Sequence, residues 1–298
     1  GRYGTIILFK YVDGGEKMIL VTGANGFVGH KILEMRKDAI ASPSLRGATQ
    51  EDIKRMIDAS DADVIIHTAA ISDIGTCQAD PQASYFANVQ IPVYLAKASK
   101  DRKLICFSSD QVYSGCDEEG PYSEDTVKPG NIYAEHKLEM EQRVLDIFPN
   151  AVMLRAEWMY DYYLQRSNYF MSIINAKESV SFSSRQYRGV TYLKEVVENM
   201  EKVAALPGGA YNFGSETTKS MYEITREFIE LLGKKLKVED TQARHNLWMN
   251  CDKARKYGVE FSDVTDGLAK CAKDYKMTGE VLNSDHDNSI IRMIDEIL

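Results

Sequence analysis

Met18–Thr22, Asp38–Ala41, Val64–His67 and Lys103–Ser108 are short, mostly apolar runs of strand length. Between them the apolar residues recur with helical spacing: Phe27, Val28, Ile32 and Leu33 within Gly26–Lys37, then Ile53, Met56 and Ile57 within Gln50–Ala59. A third helix is expected over Asn88–Lys100. Strands without a polar face, alternating with amphipathic helices, predict a parallel sheet covered on both sides, the α/β doubly wound, Rossmann-type architecture. Past residue 150 the alternation loosens. Ala151–Leu154 and Ala210–Phe213 read as further strands of the same sheet, separated by an aromatic-rich segment from Trp158 to Phe170. Ser220–Leu232 carries Tyr222, Ile224, Phe228 and Leu231 at helical spacing. The pattern divides the chain into a sheet domain over 18–160, rejoined by about 187–205, and a smaller C-terminal lobe over 161–275. The tail 276–298 places Ile290, Ile291, Ile294, Ile297 and Leu298 on roughly one helical face, to pack on the body or on a second subunit as a homodimer. Residues 1–17, with an expected strand at Ile6–Val12 and a turn at Asp13–Gly15, form an accessory extension.

Composition narrows the function classes. A net charge of -8 without a basic stripe argues against a nucleic-acid surface. It leaves room for an anionic small ligand, because backbone dipoles bind phosphate on an acidic protein. The five cysteines, at 77, 106, 116, 251 and 271, form no CxxC pair, which fits a reduced, cytoplasmic protein. No apolar run has the length of a membrane span. Thr5–Phe9 is too soon interrupted by Lys10 and Asp13 to serve as a signal segment. The histidines (30, 67, 136, 245 and 286) show no HxxxH or HxH spacing, so no metal site is expected.

The candidate chemistry lies at the carboxyl ends of the predicted strands, where such sheets bind ligands. Gly23-Ala-Asn-Gly26-Phe-Val-Gly29 follows the first strand and opens the first helix. Glycines there let the backbone turn tightly against a pyrophosphate, and the helix N-terminus offers amide donors. This makes the sheet domain a dinucleotide-binding domain. After the second strand, where a carboxylate would hold a ribose diol, the chain reads Ala39-Ile-Ala-Ser-Pro-Ser-Leu-Arg46. Ser42 and Arg46 could receive a 2′-phosphate, favouring NADP with NAD still possible; the other reading leaves Arg46 a solvated loop residue. His67 reads as a structural residue ending a strand under the cofactor, with the small Ala69 and Ala70 following for close approach. Ser109 ends the fourth strand, and Tyr133 and Lys137 are one helical turn apart. A hydride delivered to a carbonyl leaves an oxyanion that needs a proton. Tyr133 can give it if a cation lowers its pKa, Lys137 can also hold the nicotinamide ribose, and Ser109 can polarise the carbonyl.

With these residues in place the chain resembles the extended short-chain dehydrogenase/reductase family, and within it the dTDP-4-dehydrorhamnose reductases, over about residues 18–275. The family's Ser-Thr-Asp-Tyr-Val-Phe-x-Gly block is matched by Ser108-Ser-Asp-Gln-Val-Tyr-Ser-Gly115, and its Pro-Tyr-x-Glu block by Pro121–Glu124. Its Pro-x-Asn-x-Tyr-Gly-x-x-Lys block is matched by Pro129–Lys137, and Arg-x-x-Trp-x-Tyr by Arg155–Tyr160. Asn168-Tyr-Phe170 is loosely similar to its substrate segment, and Tyr211–Gly214 with Met221–Glu223 to its C-terminal lobe. The resemblance implies NAD(P)-dependent reduction of a 4-keto-6-deoxyhexose carried on a nucleoside diphosphate. Ser109, Tyr133 and Lys137 would be the catalytic triad, and Gly23, Gly26 and Gly29, with Asn25 and Phe27, the pyrophosphate turn. Asp110, Gln111, Trp158 and Asn168 would meet the substrate.

The family's Asp-Gln-x-Gly-x-Pro-Thr-Tyr stretch appears as Arg185-Gln-Tyr-Arg-Gly-Val-Thr-Tyr192, with two arginines gained. Arg185 and Arg188 are either solvated or a clamp for the substrate diphosphate, and the clamp is favoured. Asp161-Tyr-Tyr163 replaces Gly-rich surroundings at the sugar end. A dehydratase of the superfamily would want an acid where Gln111 stands, which counts against water loss. An epimerase using the same Tyr/Lys pair, and a cofactor-binding regulatory subunit similar to that of methionine adenosyltransferase, are the alternatives.

Overall fold

The computed structural model describes residues 17–278, so the expected strand at Ile6–Val12 and the apolar stripe of the tail lie outside the described residues. The apolar runs become β1 (Ile19–Thr22), β2 (Ala39–Ala41), β3 (Val64–His67), β4 (Lys103–Ser109) and β5 (Val152–Ala156). The shorter strands β6 (Trp158–Tyr160), β7 (Ser179–Phe182), β8 (Gln186–Arg188) and β9 (Val190–Tyr192) follow, then β10 (Gly209–Phe213), β11 (Lys237–Asp240) and β12 (His245–Leu247). Six of them join one parallel sheet in the order β10-β5-β4-β3-β1-β2. The order reverses direction between β1 and β3, which opens a crevice at their carboxyl ends.

Alternate side chains of each strand point to opposite faces and both faces are buried. Ile19, Val21, Ile66, Ile105 and Phe107 pack with the helix Phe27–Met35 and with Leu193, Val196 and Val197. Leu20, Ile65, Leu104 and Cys106 pack with Ile53, Ile57, Val93, Met140 and Val144 on the other side. Of the segment 187–205, the part from Leu193 to Val203 thus lies on the sheet. β8 and β9 do not join it; they pair in parallel with β12 and β6. With β7–β11, these ribbons and the helices Met221–Leu231 and Val264–Asp274 build the second lobe around Tyr160, Phe170, Tyr192 and Phe228.

One helix departs from the expected bounds. Instead of starting at Asn88, it starts at Pro81, where Asp80 accepts the Ala83 amide at 3.0 Å, and runs through a π-turn at Phe86–Gln90 into Ile91–Ser99. Asn88 is inside it, and its amide group pairs with the backbone N–H and C=O of Ile71 at 3.1 and 2.9 Å.

A buried network ties the sheet to the helix Ile132–Ile147. The Arg155 guanidinium on β5 grips Glu141 of that helix, with Nε–Oε1 at 3.0 Å and Nη2–Oε2 at 2.7 Å. Ser108 of β4 donates to the same carboxylate at 2.6 Å, and Arg155 Nη1 donates to the Tyr113 hydroxyl at 2.9 Å. Tyr113 in turn donates to Asn212 on β10 at 2.5 Å. Removing one partner of such a pair strands a buried charge, at a cost of about 3–5 kcal/mol. Arg155→Ala is therefore expected to lose stability of that order in urea denaturation. A midpoint matching the wild type would remove the network from the fold's supports.

Candidate active site

The glycine turn is held by close backbone contacts. Gly23 sits at φ +70°, and Gly26 N–H donates to its carbonyl at 2.8 Å. A Cβ on Gly23 would come within 2.7 Å of the Ala69 nitrogen, and one on Gly29 would collide with the Gly23 carbonyl. Among the described residues no side chain caps the helix that starts at Phe27, so its first amides face the crevice at the turn. Thr68 donates to the Thr22 carbonyl at 2.6 Å and fixes the end of β3 beside the turn.

β4 delivers Ser109 at the same edge. Its hydroxyl accepts the Gln111 amide at 3.1 Å and donates to Asp110 at 3.3 Å. The helix Ile132–Ile147, capped by Asn131 on the Ala134 amide at 2.8 Å, supplies Tyr133 and Lys137 from its first turns. Both are buried. The Lys137 ammonium donates to the Phe107 carbonyl at 2.8 Å and lies 5.8 Å from the centre of the Tyr133 ring. Burial lowers the Lys137 pKa to about 8. The expected lowering of the Tyr133 pKa is not what the structure gives. Burial pushes the phenol up, and the Ser109 hydrogen bond pulls the other way. Desolvation disfavours the charged form of both groups and outweighs their proximity.

These residues surround a cavity of about 530 Å³. Gly23, Gly26 and Phe27 line it, as do Ala69 and Ala70. Ser109, Asp110, Gln111, Tyr133 and Lys137 line it too, as do Trp158, Asn168 and Arg188. Arg188 donates to Asp110 at 2.7 Å and stacks 4.9 Å over the Trp158 ring.

Other expected residues are not brought to the cavity. Asn25 is exposed on the turn, and Gly29 is buried beneath it in a packing role. Ser42 donates to the Pro43 carbonyl at 2.8 Å, and Arg46 is exposed; both lie beyond the end of β2. Arg185 is exposed as well, because it stands in the turn before β8, outside the strand that carries Arg188. His67 is a core residue, bonded through Nδ1 to Thr22 at 2.7 Å, with burial lowering its pKa to about 3. Two charged lining residues were not anticipated. Glu157 is a carboxylate directly after the end of β5, a signal visible in the chain. Arg166, with its guanidinium 5.6 Å from the Phe27 ring centre, is a cation in the aromatic-rich segment and had no motif to mark it.

The family model described as RmlD substrate binding domain matches residues 17–248. The chain belongs to the RmlD substrate binding domain family. Among curated RmlD-like relatives, the dTDP-4-dehydrorhamnose reductase of Mycolicibacterium smegmatis is 31% identical over 50% of this chain and 48% of its own length. The chain thus spans about half of that relative. Methionine adenosyltransferase 2 subunit beta of Xenopus laevis is 27% identical over 82% of this chain and 83% of its own length. Among solved structures, the dTDP-4-dehydrorhamnose reductase of Bacillus anthracis in complex with NADP superposes with a TM-score of 0.78, at 20% identity, over 88% of this chain and all of that one. The family membership and the shared fold agree with the resemblance read from the motifs.

The tightness of the RmlD-type turn is directly testable. Gly23→Ala adds a Cβ both at a left-handed backbone position and against the β3 end, and is expected to cost about 1–3 kcal/mol in urea denaturation. Unchanged stability would show that the turn relaxes freely.

Proposed function

We propose that the protein is an oxidoreductase that uses NADPH to reduce the 4-keto group of a nucleotide-linked 6-deoxysugar, as a dTDP-4-dehydrorhamnose reductase does. The observation that carries this reading is the convergence of Ser109, Tyr133 and Lys137 on one cavity that the glycine turn also lines. The turn fits a dinucleotide: its glycines leave no room for side chains, and uncapped amides face the crevice. When bound, the nicotinamide supplies the hydride. Gly23, Gly26 and the helix N-terminus would hold the pyrophosphate, and Ala69 and Ala70 would allow close approach. Ser42 and Arg46, beyond a β2 end that lacks a carboxylate, favour a 2′-phosphate and hence NADPH over NADH.

Lys137 would hold the nicotinamide ribose. Ser109 would donate to the carbonyl oxygen, and Tyr133 would give that oxygen its proton as negative charge develops there. A phenol kept neutral by burial is in the right state for this donation. Asp110, Gln111, Trp158 and Asn168 would line the sugar end, and Arg188, paired with Asp110 and stacked on Trp158, would join them there rather than clamp the diphosphate. Gln111 supplies no acid for water loss, so the reading is reduction rather than dehydration. The free cysteines suit a reducing cytoplasm, and no helix among the described residues is long and apolar enough to cross a membrane. A second reading, a cofactor-binding regulatory subunit, is favoured by the long match to the frog methionine adenosyltransferase subunit.

NADPH and NADH consumption with dTDP-4-keto-6-deoxyglucose separates the two. Oxidation of NADPH is expected, with Tyr133→Phe losing about 100- to 10,000-fold in kcat while still binding cofactor. Cofactor binding without turnover would favour the regulatory subunit. Lys137 is cationic below its pKa of about 8 and neutral above it, so NADPH affinity should fall as pH rises through that value. Lys137→Met should abolish this dependence in a fluorescence titration; a pH dependence that survived would assign it to another group.

A further inference from the structure

Two residues that line the cavity each hold a buried polar atom with no hydrogen-bond partner among the described residues: Oε1 of Glu157 and Nε of Arg188. Their residues are 4% and 8% exposed. The other ends of both side chains are anchored. Glu157 Oε2 accepts from Thr191 at 2.9 Å, and Arg188 Nη2 donates to Asp110 while the guanidinium stacks on Trp158. An orphaned buried polar group costs about 1–3 kcal/mol, so two on one cavity call for an occupant.

The surrounding backbone is shaped around the carboxyl group. A Cβ on Gly189 or on Gly214 would collide with Glu157 Oε2. Arg188 stands where the family's Asp-Gln-x-Gly-x-Pro-Thr-Tyr pattern has glycine, and Glu157 fills a position that its Arg-x-x-Trp-x-Tyr pattern leaves free. Burial, reinforced by the Asp110 charge, raises the Glu157 pKa well above the carboxylate range, so the group can both donate and accept.

We propose that Glu157 and Arg188 form a specificity-determining pair that reads a hydroxyl on the sugar ring, with Arg188 Nε donating to the hydroxyl oxygen and Glu157 Oε1 completing its hydrogen bonds. The inference rests on the nucleotide-sugar reading above and names the part of the substrate that this chain selects. A site built to bond a hydroxyl rejects an analogue lacking it, because its own buried groups are then left unpaired.

The test reads binding rather than turnover. Calorimetry on the NADP-saturated protein compares each nucleoside diphosphate with its 6-deoxyhexose conjugate in the dTDP, UDP and GDP series. In at least one series the sugar is expected to tighten binding by about tenfold or more, and Glu157→Leu is expected to lose about 10- to 100-fold of the conjugate's affinity while the diphosphate alone binds as before. Glu157→Gln, which keeps a donor and an acceptor, should restore most of it. Conjugates lacking the 2- or the 3-hydroxyl probe the same contact in the unaltered protein, whatever the Leu variant does to folding. A sugar that adds no affinity in any series, or deoxy analogues that both bind as tightly as the parent, would overturn the pair's role. Absence of NADPH oxidation would instead count against the reductase and leave this comparison standing.

Discussion

The buried ion pair between Arg155 and Glu141 is the constraint on which the site depends. It sits under the carboxyl ends of β4 and β5 and clamps the helix Ile132–Ile147 against them. Ser109 comes from the strand, and Tyr133 and Lys137 from the helix. Their relative placement is therefore only as good as that clamp. Two charges in a dry interior are expensive unless every lone pair and proton is matched. Here Ser108, Tyr113 and the Glu124 carbonyl complete the set, and Asn212 extends it to β10. The network links three adjacent strands and one helix through side chains, where sheet hydrogen bonds alone would leave the helix free to slide.

Burial also sets the electrostatics above the clamp. Lys137, Tyr133, Asp110 and Glu157 all border one cavity, and for each the dominant influence on its proton is loss of water. The common result is a site in which burial favours the neutral forms of both carboxyl groups, the phenol and the lysine. Hydrogen bonds there act at low dielectric, where a matched partner counts for more and a missing one costs more.

The sheet, the glycine turn and the Ser109, Tyr133, Lys137 set were legible because each is encoded within one local stretch: a strand with its turn, a strand end, a pair on one helix face. Arg188 and Asp110 were each noticed, but their ion pair joins residues 78 positions apart through a strand only three residues long, below the length at which alternation can be read. The setting of Glu157 was invisible for a related reason, since Gly189, between β8 and β9, and Gly214, just past β10, close on its carboxyl group. The start of the helix at Pro81 was missed because a π-turn breaks the regular spacing just where Asn88 engages Ile71. Ser42 and Arg46 carry the right chemistry for a phosphate, yet composition alone could not say that they lie outside the described cavity.

The three ribbons of the second lobe are all parallel, and each joins strands separated by long stretches of chain: β6 with β9, β7 with β11, β8 with β12. Parallel pairing admits no tight hairpin, so each ribbon forms only after a large loop has closed. Arg188 lies on β8, whose partner β12 ends at Leu247. The glycine turn, by contrast, needs only β1, β3 and one helix, all complete within the first quarter of the chain. As the polypeptide emerges during synthesis, the half of the crevice formed by the glycine turn can therefore take shape early, while the half that carries Arg188 waits for nearly the whole described chain.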